Sequence, residues 1–537
     1  MAILKSMTER APALPLARSP GHIARKSAFL LMPFYPKSRH GSLGKHVLTP
    51  ALTLSAVAAS TPADWHVRVW DENLCQGAPP HEPVPEIVGI TVHLTFAERA
   101  YELAAYYRAR GARVVLGGLH VQSCPDEAAS HADAISLGNG VEAWPHILRD
   151  AESGCLAPVY EGNYETPFSL EPRPRRELVD RASFLTTASL IATRGCANRC
   201  RFCYLSTSSV RMRYEARNPG DVARDLAAID EPYAVFIDNN LGSDREYLRS
   251  LCAALKPVGK IWSAAVTPDV ADDPPLVRAM SDSGCTGVFL GLESVNFASL
   301  AESGKRNASS ERYGAQVSVF RDHQIQVNAS FVFGFDHDDA GTFERTAAWI
   351  ERHRLACATF HVLTPYRGTP LFCQMEREGR LLTRDWSRYD TAHAVFVPRL
   401  MSAEELEAGY AWCYRTLFSV GSIWRRRPRD LASLPAFLGG SLLYKKMNWL
   451  WPRLTRARAI HAVWRPFVTL ARRRHQARMA EAAQAASQCS AATAASPRHL
   501  ARPRRAVAPR RSPGGVVPTR PAACQPGRRE EGIRAQS

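Results

Sequence analysis

The sequence predicts an α/β protein built from two successive parallel-sheet domains, followed by a helical extension and a basic tail. Three observations predict it. Short apolar runs alternate with helical stretches twice, over residues 27–152 and again over 188–379. An aperiodic segment holding Pro158, Pro167, Pro172 and Pro174 separates the two series, giving a linker at 153–187. Beyond residue 380 the pattern turns helical and then loses its period.

Residues 1–26 are polar and contain prolines, and read as a flexible N-terminus. In the first series the apolar runs Ala28–Met32, Val67–Trp70, Ile87–Thr91, Arg113–Leu116 and Ala134–Leu137 have the length and bounds of buried strands. Phe96–Arg110, between two of them, carries apolar residues at helical spacing. Strands alternating with helices give a parallel sheet, hence a Rossmann-like, doubly wound domain whose ligand would lie at the strands' carboxyl ends. The second series offers strands at Ser189–Ala192, Ala234–Asp238, Ile261–Ala264, Gly287–Leu290, Val327–Val332 and Ala358–Val362. Six strand–helix units predict a partial (β/α)6 barrel, with its active loops at the carboxyl ends. Residues 380–482 are expected to be helical, as at Ser402–Leu417, and residues 483–537, rich in Ala, Pro and Arg, to be a disordered tail.

The 537 residues carry a formal charge of +17, unevenly placed. From Trp424 onward there are 24 Lys and Arg against 4 Asp and Glu, and the rest of the chain holds 44 against 47. The two-domain body is therefore nearly neutral. The excess lies in a C-terminal region where leucines and aromatics mix with arginines, as in Leu443–Trp451, a composition that suits peripheral membrane contact. Nucleic acid is disfavoured, since no recognised RNA-binding module is present. Thirteen cysteines, an odd number at irregular spacing, speak against a disulfide framework. With no secretory leader and no apolar run of ~20 residues, the expectation is a cytoplasmic protein, or one held peripherally at the inner face of a membrane.

Three cysteines fall in one short run, Thr193-Arg-Gly-Cys196-Ala-Asn-Arg-Cys200-Arg-Phe202-Cys203. Iron–sulfur cubanes normally take four thiolates. A three-thiolate run leaves one iron open, and an open position distinguishes a catalytic metal site from a structural one. A zinc ribbon would need a second Cys/His pair downstream, but the next cysteine, Cys252, is alone.

This C-x3-C-x-aromatic-C run resembles the signature of radical S-adenosylmethionine (radical SAM) enzymes. The resemblance implies that Cys196, Cys200 and Cys203 hold a 4Fe–4S cluster whose open iron chelates S-adenosylmethionine, and that one electron then releases a deoxyadenosyl radical. By the same resemblance Phe202, Asp238 and Asn239 at the second strand's end, and Glu293 in Gly291-Leu-Glu-Ser, contact S-adenosylmethionine. The segments at Gly304-Lys305, Phe333–Asp336 and Thr364–Pro370 also look like family elements, without an assigned catalytic role.

The N-terminal domain resembles the cobalamin-binding module that precedes the radical domain in one branch of the family. Asp71, Asn73, Thr91, Gly117 and Gly118 are the implied cobalamin-binding positions. Asn73 stands where many cobalamin proteins carry a lower-axial histidine, and an amide is a poor cobalt ligand. The Gly117-Gly118 doublet would let the sheet end approach the cofactor. The resemblance implies a cobalamin-dependent methyltransferase acting on an unactivated carbon of an apolar lipid, tetrapyrrole or natural product, with flavodoxin or ferredoxin as reducing partner. In such a reaction the radical abstracts a substrate hydrogen and methylcobalamin delivers the methyl group. The alternatives are a radical oxidoreductase or cyclase, and a non-enzymatic cobalamin or iron–sulfur sensor with a nucleic-acid- or membrane-binding tail.

Overall fold

The computed structural model describes residues 23–35, 48–74, 77–207, 209–210, 212–305, 309–428, 434–438, 441–442 and 448–495. Most of the expected flexible N-terminus and the tail beyond residue 495 lie outside these residues.

The first sheet has six parallel strands. They are β1 (Ile23–Met32), β2 (His66–Asp71), β3 (Val84–Thr91), β4 (Arg113–Gly117), β5 (Ala134–Gly138) and β6 (Val159–Gly162), in the spatial order 2-1-3-4-5-6. The connecting helices are α1 (Leu52–Ala59), α2 (Ala97–Arg108), the short α3 (Leu119–Ser123) and α4 (Pro125–Ala129), and α5 (Gly140–Ser153). Side chains alternate along a strand, so a sheet covered on both faces sorts its residues by parity. Phe29, Leu31, Val88, Ile90, Val114 and Leu116 pack with α2 on one face. Ala28, Leu30, Ile87 and Val115 pack with α1 and α5 on the other. Strand order reverses between β1 and β3, the switch point at which such sheets bind ligands beyond their carboxyl ends.

The linker is more ordered than its prolines predict. Its middle supplies β6, which pairs with β5 from Ile135↔Val159 to Gly138↔Gly162. Tyr160 anchors it, buried and hydrogen-bonded to Asp150 at 2.8 Å. A four-residue strand leaves too little periodicity to stand out from sequence.

The second sheet is also six-stranded and all parallel, in sequential order: β7 (Ser189–Leu190), β10 (Tyr233–Phe236), β11 (Ile261–Val266), β12 (Cys285–Glu293), β13 (Gln326–Phe333) and β14 (Cys357–Val362). The first of these is shorter than expected. The chain jogs after Leu190, and β8 (Thr193–Arg194) pairs antiparallel with β9 (Glu215–Ala216) as a separate ribbon. The intervening helices are α6 (Pro219–Ala228), α7 (Arg245–Leu255), α8 (Pro274–Asp282), α9 (Phe297–Glu302), α10 (Tyr313–Asp322), α11 (Thr342–Arg352) and α12 (Pro370–Arg377). Their starts are set by side-chain caps: Asn218, Asp244, Asp273 and Thr369 each accept a backbone N–H of the first turn.

The edge strand β14 is covered by α13 (Ala403–Leu417), which opens on a capping box between Ser402 and Glu405. The Tyr414 hydroxyl accepts from the Phe360 N–H at 3.0 Å and donates to its carbonyl at 3.2 Å. Those two groups would otherwise be an unpaired sheet edge. The stretch from Arg380 to Met401, expected to be helical, instead runs as loop with a bridge between Leu381 and Phe396. After α14 (Val420–Arg426), α15 (Leu434–Leu438) and α16 (Trp451–Arg456), the last helix among the described residues is α17 (Ile460–Ala495), which continues past residue 483, where loss of structure was expected. Arg472 and Gln476 of α17 donate to the Gly259 carbonyl, and Arg478 reaches Ser281. These contacts lie at the strands' amino ends, so α17 crosses the barrel floor, opposite the mouth.

Candidate cluster and cofactor site

Cys196, Cys200 and Cys203 occupy the loop that leaves β8 at the carboxyl end of the second sheet, and all three are half-buried free thiols. Gly195 makes the turn into the loop. Its φ is +78°, and a Cβ there would lie 2.6 Å from the Arg213 carbonyl oxygen. Only glycine combines that left-handed backbone with so close an approach. The loop is tied to later helices by backbone: Arg201 N–H donates to the Ser303 carbonyl at the end of α9, and Leu371 N–H of α12 to the Arg201 carbonyl, both at 3.1 Å. Its side chain donates to Gln374 at 2.6 Å.

Three thiols in one short loop, with no fourth cysteine in it, are the donor set of a cubane that keeps one iron open. Burial pushes Cys200 up to about 12 and Cys203 up to about 11, so a bound metal must supply the charge that keeps them as thiolates. Lys305 is the cation that works against burial at both.

Asp238 is only 4 % exposed and does not open onto the mouth. Its carboxylate accepts the backbone N–H groups of Ala192 and Thr193 and the Thr193 hydroxyl at 2.7 Å. It anchors the jog that launches the cysteine loop. This is a different role from the cofactor contact expected of it. Burial outweighs these bonds and pushes its pKa up to about 6.

Asn239, one residue on, is exposed and donates to the Tyr204 hydroxyl at 2.6 Å, beside Cys203. Glu293 ends β12 with φ +62°. It is 8 % exposed and paired with Lys305 at 2.7 Å, and Lys305 also donates to the Gly291 carbonyl. Glu293 and Lys305 both act electrostatically on Cys200. Phe202 packs edge-on against Phe335, with ring centroids 6.1 Å apart.

The N-terminal positions are largely committed to the fold. Asn73 accepts the Tyr35 N–H at 2.9 Å and donates to the Pro33 carbonyl and to Asp71, clamping the loop after β1. Gly118 has φ +108°, and a Cβ would meet the Val92 carbonyl oxygen at 2.7 Å. Its missing side chain thus serves a crossing of its own chain. Gly117 has no atom nearer than 3.6 Å to such a Cβ and pairs with Thr91 in the sheet.

The carboxyl-end loops of the two sheets meet. Tyr366 lies against His93, with ring centroids 6.3 Å apart, and His93 in turn against Tyr35 at 5.8 Å. Beside this aromatic seam, His120, Cys124 and Glu127 form the one group with ligand atoms within 4.8 Å among the described residues. They are already partnered: Arg367 donates to Cys124 Sγ at 3.3 Å, and Glu127 accepts from Tyr101, His120 and Trp386. The group joins the two halves.

Comparison with known proteins agrees with this architecture. Residues 190–350 match the model of the Radical SAM superfamily, and residues 369–493 match a domain of unknown function, DUF4070. Residues 190–350 therefore form a radical SAM domain. The parallel α/β domain ahead of it gives the chain the two-domain fold of the cobalamin-binding branch. It is 26 % identical over 410 residues to bacteriochlorophyllide d C-12(1)-methyltransferase of Chlorobaculum tepidum, covering 74 % of this chain and 86 % of that one. It is 26 % identical over 429 residues to the C-8(2)-methyltransferase of the same organism, covering 74 % and 91 %. With the hopanoid C-2 methylase of Rhodopseudomonas palustris it shares 23 % over 350 residues, covering 63 % and 66 %. The methyltransferase TsrM from Kitasatospora setae, solved with cobalamin and a [4Fe-4S] cluster, aligns with a TM-score of 0.55 at 14 % identity, over 82 % of this chain and all of that one. OxsB, a cobalamin-dependent radical enzyme solved with aqua-cobalamin, aligns with a TM-score of 0.59 at 11 % identity, over 86 % and 80 %.

Proposed function

We propose that the chain transfers a methyl group to an unactivated carbon of an apolar tetrapyrrole or lipid, with the cluster on Cys196, Cys200 and Cys203 and cobalamin in the seam between the two sheets. The observation that carries this reading is the meeting of the two carboxyl ends through Tyr35, His93 and Tyr366, a few residues from the cysteine loop. The methyltransferase relatives support it. When bound, the cluster supplies the electron that cleaves S-adenosylmethionine, and cobalamin supplies the methyl carrier.

The chain's own groups position and exclude. Asn239 and the Glu293–Lys305 pair offer polar contacts beside the cysteines, and we assign S-adenosylmethionine to them. Phe202 and Phe335 keep water from one side. With its amide spent on the loop after β1, Asn73 leaves cobalt without a protein ligand from that turn. Flavodoxin or ferredoxin would deliver the electron, and a membrane surface would lie within reach of the C-terminal helices.

The test is anaerobic reconstitution followed by turnover with methyl-labelled S-adenosylmethionine and a bacteriochlorophyllide or hopanoid acceptor. Label in the product, together with 5′-deoxyadenosine, is the expected result. Deoxyadenosine with an unlabelled, oxidised or cyclised product would replace this reading with a radical oxidoreductase. No cleavage of S-adenosylmethionine by cluster-loaded protein would point to a sensor.

A further inference from the structure

The floor of the barrel carries a surface unlike the rest. Along α17, Val463, Phe467 and Leu470 are spaced i, i+4, i+7, which places them on one helical face. They are 43 %, 56 % and 47 % exposed. The opposite side of the same helix is held to the barrel by Arg472 and Gln476, which both donate to the Gly259 carbonyl. The apolar stripe therefore points away from the enzyme.

Arg473 and Arg474 are exposed beside this stripe and form no ion pair among the described residues. From Ile460 to Ala480 the helix carries five arginines and no acid. A helix that shows apolar side chains flanked by uncompensated arginines matches the boundary of an anionic bilayer. There the chains enter the acyl region and the guanidinium groups meet lipid phosphates. On α14, Val420 and Trp424 repeat the pattern one turn apart, at 68 % and 65 % exposure, with the Arg427 guanidinium 4.2 Å from the Trp424 ring centroid. Indole at the water–lipid boundary with arginine beside it is a recurrent interfacial arrangement.

We infer that α17 docks the protein on an anionic membrane through Val463, Phe467 and Leu470, with Arg473 and Arg474 bound to lipid phosphates. The occupant is lipid because the surface is basic and apolar together: a nucleic acid would answer its charge but leave the aliphatic stripe in water. Since α17 lies opposite the barrel mouth, docking tethers the enzyme and leaves the mouth facing away from the bilayer. The inference extends the reading of an apolar substrate. Its test reads lipid binding rather than turnover, so either can fail alone.

The experiment is flotation of the full chain with phosphatidylcholine vesicles, with and without phosphatidylglycerol. Binding to the phosphatidylglycerol vesicles alone, weakening with salt, is the expected result. Phe467→Asp with Leu470→Asp should abolish it, and each of Arg473→Ala and Arg474→Ala should weaken it by about fivefold. Iron content and melting temperature check the fold, and the arginine variants carry the test should the aspartates disturb it. Failure to bind either vesicle, or binding unchanged in both sets of variants, would overturn the inference. So would a dimer that the aspartates split into monomers, or capture of single-stranded RNA in place of vesicles.

Discussion

The Trp386 indole N–H donates to the Glu127 carboxylate at 3.2 Å, linking residues 259 positions apart in the chain. Glu127 belongs to the first sheet's domain and Trp386 to the loop beyond the second sheet. Glu127 is held below the usual carboxylate range. Burial pushes it up, but hydrogen bonds from His120, Tyr101 and Trp386 outweigh that. Trp386→Phe should remove one donor at a cost of about 1 kcal/mol, and Trp386→Ala should cost about 2 kcal/mol. Both are read from denaturant unfolding. Hydrogen exchange should quicken at Tyr35 and His93 while the amides of β12 and β13 stay protected.

Gly195→Ala should disable the cysteine loop without unfolding the protein. The new methyl would press on the Arg213 carbonyl, and the left-handed φ would add strain. Iron bound per chain after reconstitution should fall by at least half, with far-ultraviolet dichroism unchanged. Full iron loading in this variant would show that the turn is more tolerant than its geometry states.

Asp238→Asn tests the anchor under that loop. All three of its partners are donors, so the amide N–H is turned on another donor, at a cost of about 1–3 kcal/mol. The pH dependence follows from its folded pKa of about 6, above the ordinary 3.8. The folded state holds this proton more tightly than the unfolded state. Its contribution to stability therefore declines as pH rises from about 4 to about 6 and is constant above. The variant should lack that slope, which titration of the unfolding midpoint across the acid range measures.

Lys305→Met would leave Glu293 buried without its cation. The expected loss is about 3 kcal/mol or more, with weaker binding of S-adenosylmethionine by calorimetry. Glu293→Gln together with Lys305→Met should recover most of the stability, because no unpaired charge remains. Binding of S-adenosylmethionine should stay weak in the double variant if the pair contacts it directly.

The longer strands were legible because each is an apolar run bounded by turn residues; Ile87–Thr91 and Val327–Val332 fall inside β3 and β13, whereas the short β6, β8 and β9 carry no such run. The cysteines were legible because their spacing is local. What escaped depends on partners distant in the chain. Nothing near Asp238 signals that its acceptors are filled by Ala192 and Thr193, 46 and 45 residues earlier. Tyr366, Arg367 and Trp386 look like ordinary loop residues until the two sheets face each other. Gly195 was readable in principle, as a glycine immediately before the first ligand, but its neighbour Arg213 is supplied by the fold.

The strand contributed by the linker alters how the two halves can move. Because β6 is zipped to β5, the segment between the halves is anchored along the rim of the first sheet rather than hanging as a free tether. Only the stretch from Asn163 to Thr187 remains to bend, and Arg194 staples its start by pairing with Glu171 and donating to the Thr166 carbonyl at 3.2 Å. A wide swing would have to break these contacts. The connecting segment thus acts as a brace that holds the two mouths toward each other.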